Sequence, residues 1–245
     1  MGLETLVPCD FCSKAINTRE FAAGTAIVVL QKKYCSECMR KAVERGRPKP
    51  ITSTPPPRSR RLAIGEHGCG LYSSEDERRG LLVPFVRDGI QKQQKVLYFL
   101  EKPSPERILA DFRDLVVPVQ VYLKNGQLQI LSAENVQNAA GQIDPMALLL
   151  RITVALDRAI AQGAPGFRVV CDMSWALSQM NDPERLVEFE RQLASIVAGG
   201  RCTALCQYDV EHFEPGPLHQ IRKHHAVVLA KGMARDLIQP QAGSV

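Results

Sequence analysis

The sequence predicts an α/β protein: a mainly parallel sheet with helices on both faces, preceded by a small metal-stapled module. Three observations carry that prediction. From Leu62 onward, short β-branched apolar runs alternate with longer segments whose apolar positions recur at three- and four-residue spacing, the β-α-β-α order of a parallel sheet. Ahead of them stand two C-x-x-C pairs, Cys9 with Cys12 and Cys35 with Cys38, twenty-two residues apart. Between the two parts, residues 46–61 hold five prolines and a run of basic side chains, which continue neither a helix nor a sheet interior.

Residues 1–45 form the first module. Cys9-Asp10-Phe11-Cys12 and Cys35-Ser36-Glu37-Cys38 are spaced so that four thiolates can converge on one Zn²⁺. Between them, Gly24 breaks the chain, Ala26 to Leu30 is a β-branched strand, and Lys32 to Tyr34 leads into the second pair, the layout of a zinc ribbon with each knuckle at a turn. Some forty residues are too few to build a core, so metal ligation supplies the folding energy. Four free thiols or a redox-active pair are the competing interpretation. Residues 1–62 carry twelve Lys and Arg against five Asp and Glu, an excess of +7, whereas the whole chain carries +5. Lys32, Lys33, Arg40 and Lys41, with Arg45, Arg47 and Lys49 behind them, offer phosphate contacts to nucleic acid. A solvated face on a protein-docking module explains them as well.

The linker follows at 46–61, long enough at ~3.1 Å per residue to hold the parts roughly 50 Å apart. The domain at 62–233 opens with a strand from Ala63 to Tyr72. Ser73 to Glu77 then reads as a capped helix start, with Leu81, Leu82, Phe85, Val86 and Ile90 on one face and a kink expected at Pro84. Lys95 to Glu101 is a buried parallel strand and Pro105 to Leu115 a helix. Val117 to Leu123 and Leu128 to Leu131, joined by Lys124-Asn125-Gly126, read as a hairpin or meander. A helix over Met146 to Ala161 leads to a strand at Phe167 to Cys171. Asp182 and Pro183 start a helix that Gly199-Gly200 stops. Thr203 to Tyr208 and Ala226 to Ala230 are the last strands, and 234–245 is a tail.

Parallel sheets bind ligands beyond the carboxyl ends of their strands. That singles out Tyr72, Glu101, Asp172, Trp175, Tyr208 and Asp209, together with His67 and Cys69, which share one face of the first strand. Each has a structural alternative: a helix cap for Asp172 and Glu101, core packing for Trp175, Tyr208 and Cys69, a hydrogen-bonded core histidine for His67. Cys171, Cys202 and Cys206 read as small hydrophobes, and His224-His225 as a surface pair. The layout suggests an ATPase of the RecA kind, but no G-x-x-x-x-G-K-[ST] occurs. Glu75, Asp76 and Glu77 stand where a nucleotide needs backbone N–H groups and a Lys, so nucleotide hydrolysis is disfavoured.

His67-Gly68-Cys69-Gly70-Leu71-Tyr72-Ser73-Ser74, then L-L-V-P-F-V-R-D-G-I and K-V-L-Y-F-L-E, resemble the opening of the MEDS family, the sensory domain of methanogen and methylotroph regulators. D-M-S-W at Asp172 to Trp175 and C-Q-Y-D at Cys206 to Asp209 lie where similar blocks fall in that family. The chain departs from the pattern in its glycine-rich His-x-Cys block and in Asp172, where a Glu is expected. The resemblance implies a RecA/KaiC-like core without its phosphate loop, sensing small hydrocarbon derivatives.

Composition bounds the rest. At 45% apolar and 23% charged residues the chain is neither disordered nor a coiled coil. No uncharged apolar run nears the ~18 residues of a membrane span, and no basic-then-apolar leader is visible, so a cytoplasmic protein without membrane or disulfides is expected. The leading expectation is a non-enzymatic sensory regulator. Its α/β domain binds a small molecule or a regulatory protein, its zinc module relays the state, and a homo-oligomer is left open. The alternatives are a DNA-binding repressor acting through the basic module, and a residual nucleotide-binding enzyme.

Overall fold

The computed structural model describes residues 6–10, 12–22, 26–29, 32–38, 41, 61–113, 115, 118–179, 183–213 and 215–230. In chain order its elements are β1 (Leu6–Pro8), β2 (Ala15–Asn17), α1 (Thr18–Ala22), β3 (Ile27–Val29), β4 (Lys32–Tyr34), β5 (His67–Tyr72), α2 (Glu75–Gln91) and β6 (Lys95–Leu100). There follow α3 (Pro105–Asp111), α4 (Val119–Lys124), β7 (Leu128–Ser132), a 3₁₀ turn (Ala133–Asn135), α5 (Pro145–Ala161) and β8 (Phe167–Asp172). The chain then forms α6 (Ser174–Gln179), α7 (Pro183–Ala198), β9 (Cys202–Asp209), α8 (Pro215–Arg222) and β10 (Val227–Ala230). It divides into two compact units, residues 1–52 with 103–126, and residues 53–102 with 127–245.

In the first unit, β1 and β2 pair antiparallel with Val7 opposite Ile16, and β3 and β4 pair antiparallel with Val28 opposite Lys33. α3 and α4 belong to the same unit. In α3 the expected helix is present but ends at Asp111 rather than Leu115.

The second unit is built on one sheet of six strands, ordered β10-β5-β9-β8-β6-β7, in which every pairing is parallel. Parallel strands need crossovers, and the crossover helices cover the sheet, so β5 and β8 are buried along their whole length. Alternate residues point to opposite faces. Cys69, Leu71, Phe99, Val169, Cys171, Cys206 and Tyr208 join Leu148 and Ile152 of α5 and Leu186, Phe189 and Leu193 of α7 in one apolar core. On the other face Arg78 of α2 donates to the Tyr98 hydroxyl of β6 at 2.8 Å. The first strand is shorter than expected, beginning at His67 rather than Ala63. α2 starts where the capping residues placed it, with the Ser74 hydroxyl accepting from Glu77 N, and it runs through Pro84 as one helix.

One expectation is overturned. Val117 to Leu123 is not the first arm of a hairpin: Val119–Lys124 is helical, and β7 pairs parallel with β6, Tyr98 opposite Ile130. The alternating valines favour a strand, but Pro118 immediately before Val119 already holds a helix-compatible φ of −52°. Asn125 then caps the helix and Gly126 takes φ +68°. Asn-Gly thus stops a helix here instead of turning a hairpin. Asp182, the linker at 46–60, Gly24 and the tail at 234–245 lie outside the described residues.

Candidate functional site

The four leading cysteines converge. Cys9 follows β1 and Cys12 closes the turn to β2, where Ser13 adopts a left-handed φ of +60° and donates from N to Cys9 O at 2.8 Å. Cys35 follows β4, and residues 36–38 are helical, so the second knuckle opens a helical turn. Asp10 locks the two together: its N donates to Lys33 O at 2.8 Å and its carboxylate accepts from Lys33 N at 2.5 Å. All four Sγ atoms lie within 4.8 Å of one another, with Cys9 to Cys38 at 3.8 Å and Cys12 to Cys35 at 3.6 Å. A disulfide would need about 2.05 Å, and none of the four is disulfide-bonded. Four sulfurs about 2.3 Å from one tetrahedral ion stand about 3.8 Å apart. The Cys35 N–H also points at Cys9 Sγ, 3.5 Å away. This donor set fits a d-block cation and can hold one.

Of the basic residues, Lys33 lies in β4 and Lys41 pairs with Glu37 at 2.8 Å. Arg40 and the side chain of Lys32 lie outside the described residues.

The carboxyl end of the sheet gathers Tyr72, Asp172 and Asp209, each the last residue of its strand, with Tyr72 beside Asp209 in the β5–β9 register. Glu101 follows β6, half-buried. Asp172 accepts from Ser174 N at 3.0 Å, the cap of α6, and Asp209 accepts from Glu211 N at 3.0 Å and pairs with His212 at 3.0 Å. Burial pushes the Tyr72 hydroxyl well above its ordinary range, and Asp172 and Asp209 add to the effect against Arg78. Arg78 itself is buried and ion-paired with Glu75 at 2.8 Å. The turn from β5 into α2 is closed by the chain's own groups. Ser73 N and Oγ each donate to Glu77 Oε2 at 2.8 Å, and Glu77 N donates to Ser74 Oγ at 3.3 Å. Among the N-terminal donors of α2, where a phosphate would sit, Glu77 N is therefore held by Ser74, and the Ser73 N–H just ahead of the helix is held by Glu77.

At the same end of the unit, an open groove of about 910 Å³ runs between the N-terminal parts of α5, α7 and α8. Its lining mixes Met146, Leu149, Val187 and Phe189 with Glu184 and Arg185. None of the strand-end residues singled out in the sequence lines it.

His67, Cys69, Trp175 and Tyr208 are placed elsewhere, on the α5/α7 face of the sheet. Trp175 is fully buried between Phe99 and Phe189, edge to face at 6.3 and 6.0 Å. Cys69 is in the same core, where burial pushes its thiol up. His67 lies at the start of β5, five residues and about 17 Å of strand from Tyr72. It meets three groups the sequence did not bring to it. Its Nε2 is 3.2 Å from Glu190 Oε2 and 3.5 Å from Cys206 Sγ, and His225 Nε2 is 3.1 Å from the same Glu190 oxygen. The Tyr208 hydroxyl donates to the other oxygen, Oε1. His225 is buried, not a surface residue, and its Nδ1 donates to Ile221 O at 2.8 Å. Burial would raise the Glu190 carboxyl, but the charge of His225 and the contacts with both imidazoles hold it far below the usual range. Burial lowers His67, whereas Glu190 outweighs burial at His225 and raises it. Burial also drives the Cys206 thiol up.

Glu190 left a trace in the sequence. Leu186, Phe189, Leu193 and Val197 mark the buried stripe of α7, and a carboxylate at 190 falls within it. The His225 environment left none, because it depends on a crossover between distant segments.

The class of the second unit is a parallel α/β sheet with polar groups at its strand ends. The chain belongs to the MEDS family, the MEthanogen/methylotroph, DcmR Sensory domain, which it matches over residues 66–226. Among curated proteins it is similar to the transcriptional repressor DcmR of Methylorubrum extorquens, 28% identical over 167 residues. The match covers 66% of this chain and 59% of that protein's length.

Proposed function

We propose that this protein is a cytoplasmic sensory regulator rather than an enzyme, with an α/β domain that binds a small hydrocarbon derivative and an N-terminal zinc module that passes the state onward. The family membership supports a regulatory role. The observation that carries the reading further is the closed β5–α2 turn. A RecA/KaiC-like sheet binds nucleotide where the first helix offers free N–H groups; here Ser74 Oγ takes the Glu77 N–H, and the Glu77 carboxylate takes the Ser73 N–H ahead of the helix. Three carboxylates in that first turn, Glu75, Asp76 and Glu77, repel a triphosphate. What is left for recognition is the strand-end residues Tyr72, Asp172, Asp209 and Glu101 and the groove at the same end, where Met146, Leu149, Val187 and Phe189 offer an apolar strip for a small molecule. Binding that prefers one arrangement of the domain shifts the population toward it, and no chemistry is required. The four-cysteine cluster is assigned zinc, which supplies folding energy to a segment too short for a core of its own. The reading divides the chain at 46–61, the proline-rich segment between the two parts. Among the described residues no helix is long and apolar enough to cross a membrane.

The test is thermal stability of the full chain with halomethanes, short alcohols and Mg-ATP. A binder raises the midpoint in step with RT ln(1 + [L]/Kd). A dose-dependent rise with a small organic molecule and none with ATP is expected. Saturable ATP binding, or turnover lost in Asp172→Ala, would sink the reading and restore the nucleotide enzyme.

A second reading has its own support. The relative is named a transcriptional repressor, and residues 1–62 carry twelve cationic against five anionic side chains. Direct DNA contact by the zinc module predicts a mobility shift that weakens steeply with salt and is lost when Lys32, Lys33 and Arg40 are replaced by Ala.

A further inference from the structure

The buried cluster under β5 has the composition and spacing of a second metal centre. His67 of β5, Glu190 of α7, Cys206 of β9 and His225 ahead of β10 come from four separate elements, and their ligand atoms all lie within 4.8 Å of one another. We propose that these four side chains bind one zinc-class divalent cation, through His67 Nε2, His225 Nε2, Glu190 Oε2 and Cys206 Sγ.

The edges of the cluster are those of a tetrahedron around an ion. Nitrogen and oxygen ligands at about 2.0–2.1 Å stand about 3.3 Å apart, and a nitrogen and a thiolate sulfur about 3.5 Å. The observed edges are 3.2 Å from His67 to Glu190, 3.1 Å from His225 to Glu190 and 3.5 Å from His67 to Cys206. A purely structural ion pair would place an N–H on the line to its acceptor. Instead, His225 Nε2 and Glu190 Oε2, both buried and 3.1 Å apart, are set off the line of a well-aligned N–H···O bond. Two groups turned towards a common point give that arrangement, and an ion there would displace any proton on Nε2.

The surroundings prepare the ligands. His225 Nδ1 donates to Ile221 O, which fixes the tautomer that leaves Nε2 free to coordinate, the outer-shell device of metal-bound histidines. Tyr208 donates to Glu190 Oε1 and leaves Oε2 for the ion. Charge balances without solvent: one carboxylate and one thiolate neutralise a dication, and the two imidazoles are neutral. When the ion binds, Cys206 loses its thiol proton and His225 any proton it carries, so binding releases protons to solvent. Glu190 and Cys206 are wholly buried and His67 is 3% exposed, so the ion enters as the sheet closes. The set is mixed in softness and has one sulfur, which favours zinc over calcium or magnesium. The site shares no residue with the four-cysteine cluster and does not depend on what the strand ends bind.

The decisive experiment counts zinc in the full chain. Two ions per chain are expected, falling to one in His225→Gln and in Cys206→Ala, and to one in Cys12→Ser/Cys38→Ser. Cobalt titration of the wild type covers the case in which a core variant fails to fold. One equivalent should show thiolate charge transfer of four sulfurs and another about a quarter of that intensity. A lone equivalent with the one-sulfur spectrum would still uphold this centre while removing the four-cysteine site. Saturation at one equivalent with the four-sulfur spectrum would overturn it, as would two zinc ions retained in folded His225→Gln.

Discussion

Arg168 is a cation inside a β-sheet, its side chain 2% exposed, and it is tolerated because each face of its guanidinium is matched. It pairs with Asp88 of α2, donates to Gln94 Oε1 at 2.6 Å and to Phe85 O at 3.2 Å, and stacks over the Phe85 ring at 4.7 Å. Removing one member of a buried pair leaves the other uncompensated and costs about 3–5 kcal/mol. Asp88→Asn should therefore lower unfolding stability by about 3 kcal/mol in urea titrations near neutral pH. The acid limb gives a second reading of the same pair. Burial alone would raise the Asp88 carboxyl, but the Lys92 hydrogen bond and the charges of Arg168, Lys92 and Arg61 hold it below its ordinary 3.8. A carboxylate lowered in the folded state contributes stability above its unfolded value and loses it as pH falls through the folded one. The wild type should therefore weaken below about pH 4, and Asp88→Asn should lose less over that range; parallel acid slopes would refute the assignment. None of this was legible in the sequence. An Arg within F-R-V-V-C-D reads as an exposed strand position, and its partner lies eighty residues away.

At the scale of elements, the legible features were those fixed by local chemistry. Ser74 caps α2 and Ser104 caps α3 as the capping rules require, and the continuous apolar runs of β6, β8 and β9 announce a parallel sheet. Elements decided by their neighbours were not legible. Val119–Lys124 reads as a strand by residue type and is a helix, and β7 takes its direction from β6 across a crossover. α2 shows how tertiary contact overrides propensity within one element. Gly89 sits in the last turn of α2, where alanine would gain at most about 1 kcal/mol. A Cβ there, however, would stand 2.6 Å from Arg168 Cδ and 3.1 Å from Val96 Cγ2. The Arg168 stem cannot swing aside without giving up Asp88 and Gln94, and overpacking a closed core costs about 1–3 kcal/mol. The crowding wins. Gly89→Ala should lower the thermal midpoint, and a rise would show that α2 has room to move off the sheet.

At the scale of the molecule, the charge division, the proline-rich segment and the two cysteine pairs lead the sequence to predict two differently built parts, and the four leading cysteines converge. The sequence could not foretell that residues 103–126 would group with the first unit, since that grouping comes from contacts distant in the chain. It concealed the second cluster for the same reason: His67, Glu190, Cys206 and His225 are far apart in sequence and meet only once four elements have assembled. Metal should therefore partition with the covalent halves of the chain. Trypsin does not cut before proline, so Arg47-Pro48 and Lys49-Pro50 resist it, whereas the bonds after Arg58, Arg60 and Arg61 are open. Three open sites within four residues of the expected domain boundary make it the preferred place of nicking, so mass spectrometry should find the earliest cut between Arg58 and Leu62. After separation, one zinc ion should travel with the peptide bearing Cys9 to Cys38 and one with the fragment bearing His67 to His225. Zinc confined to the shorter peptide would leave the buried cluster a hydrogen-bonded core network, and a first cut inside the sheet would dissolve the division at 46–61 on which the sensor-and-relay reading depends.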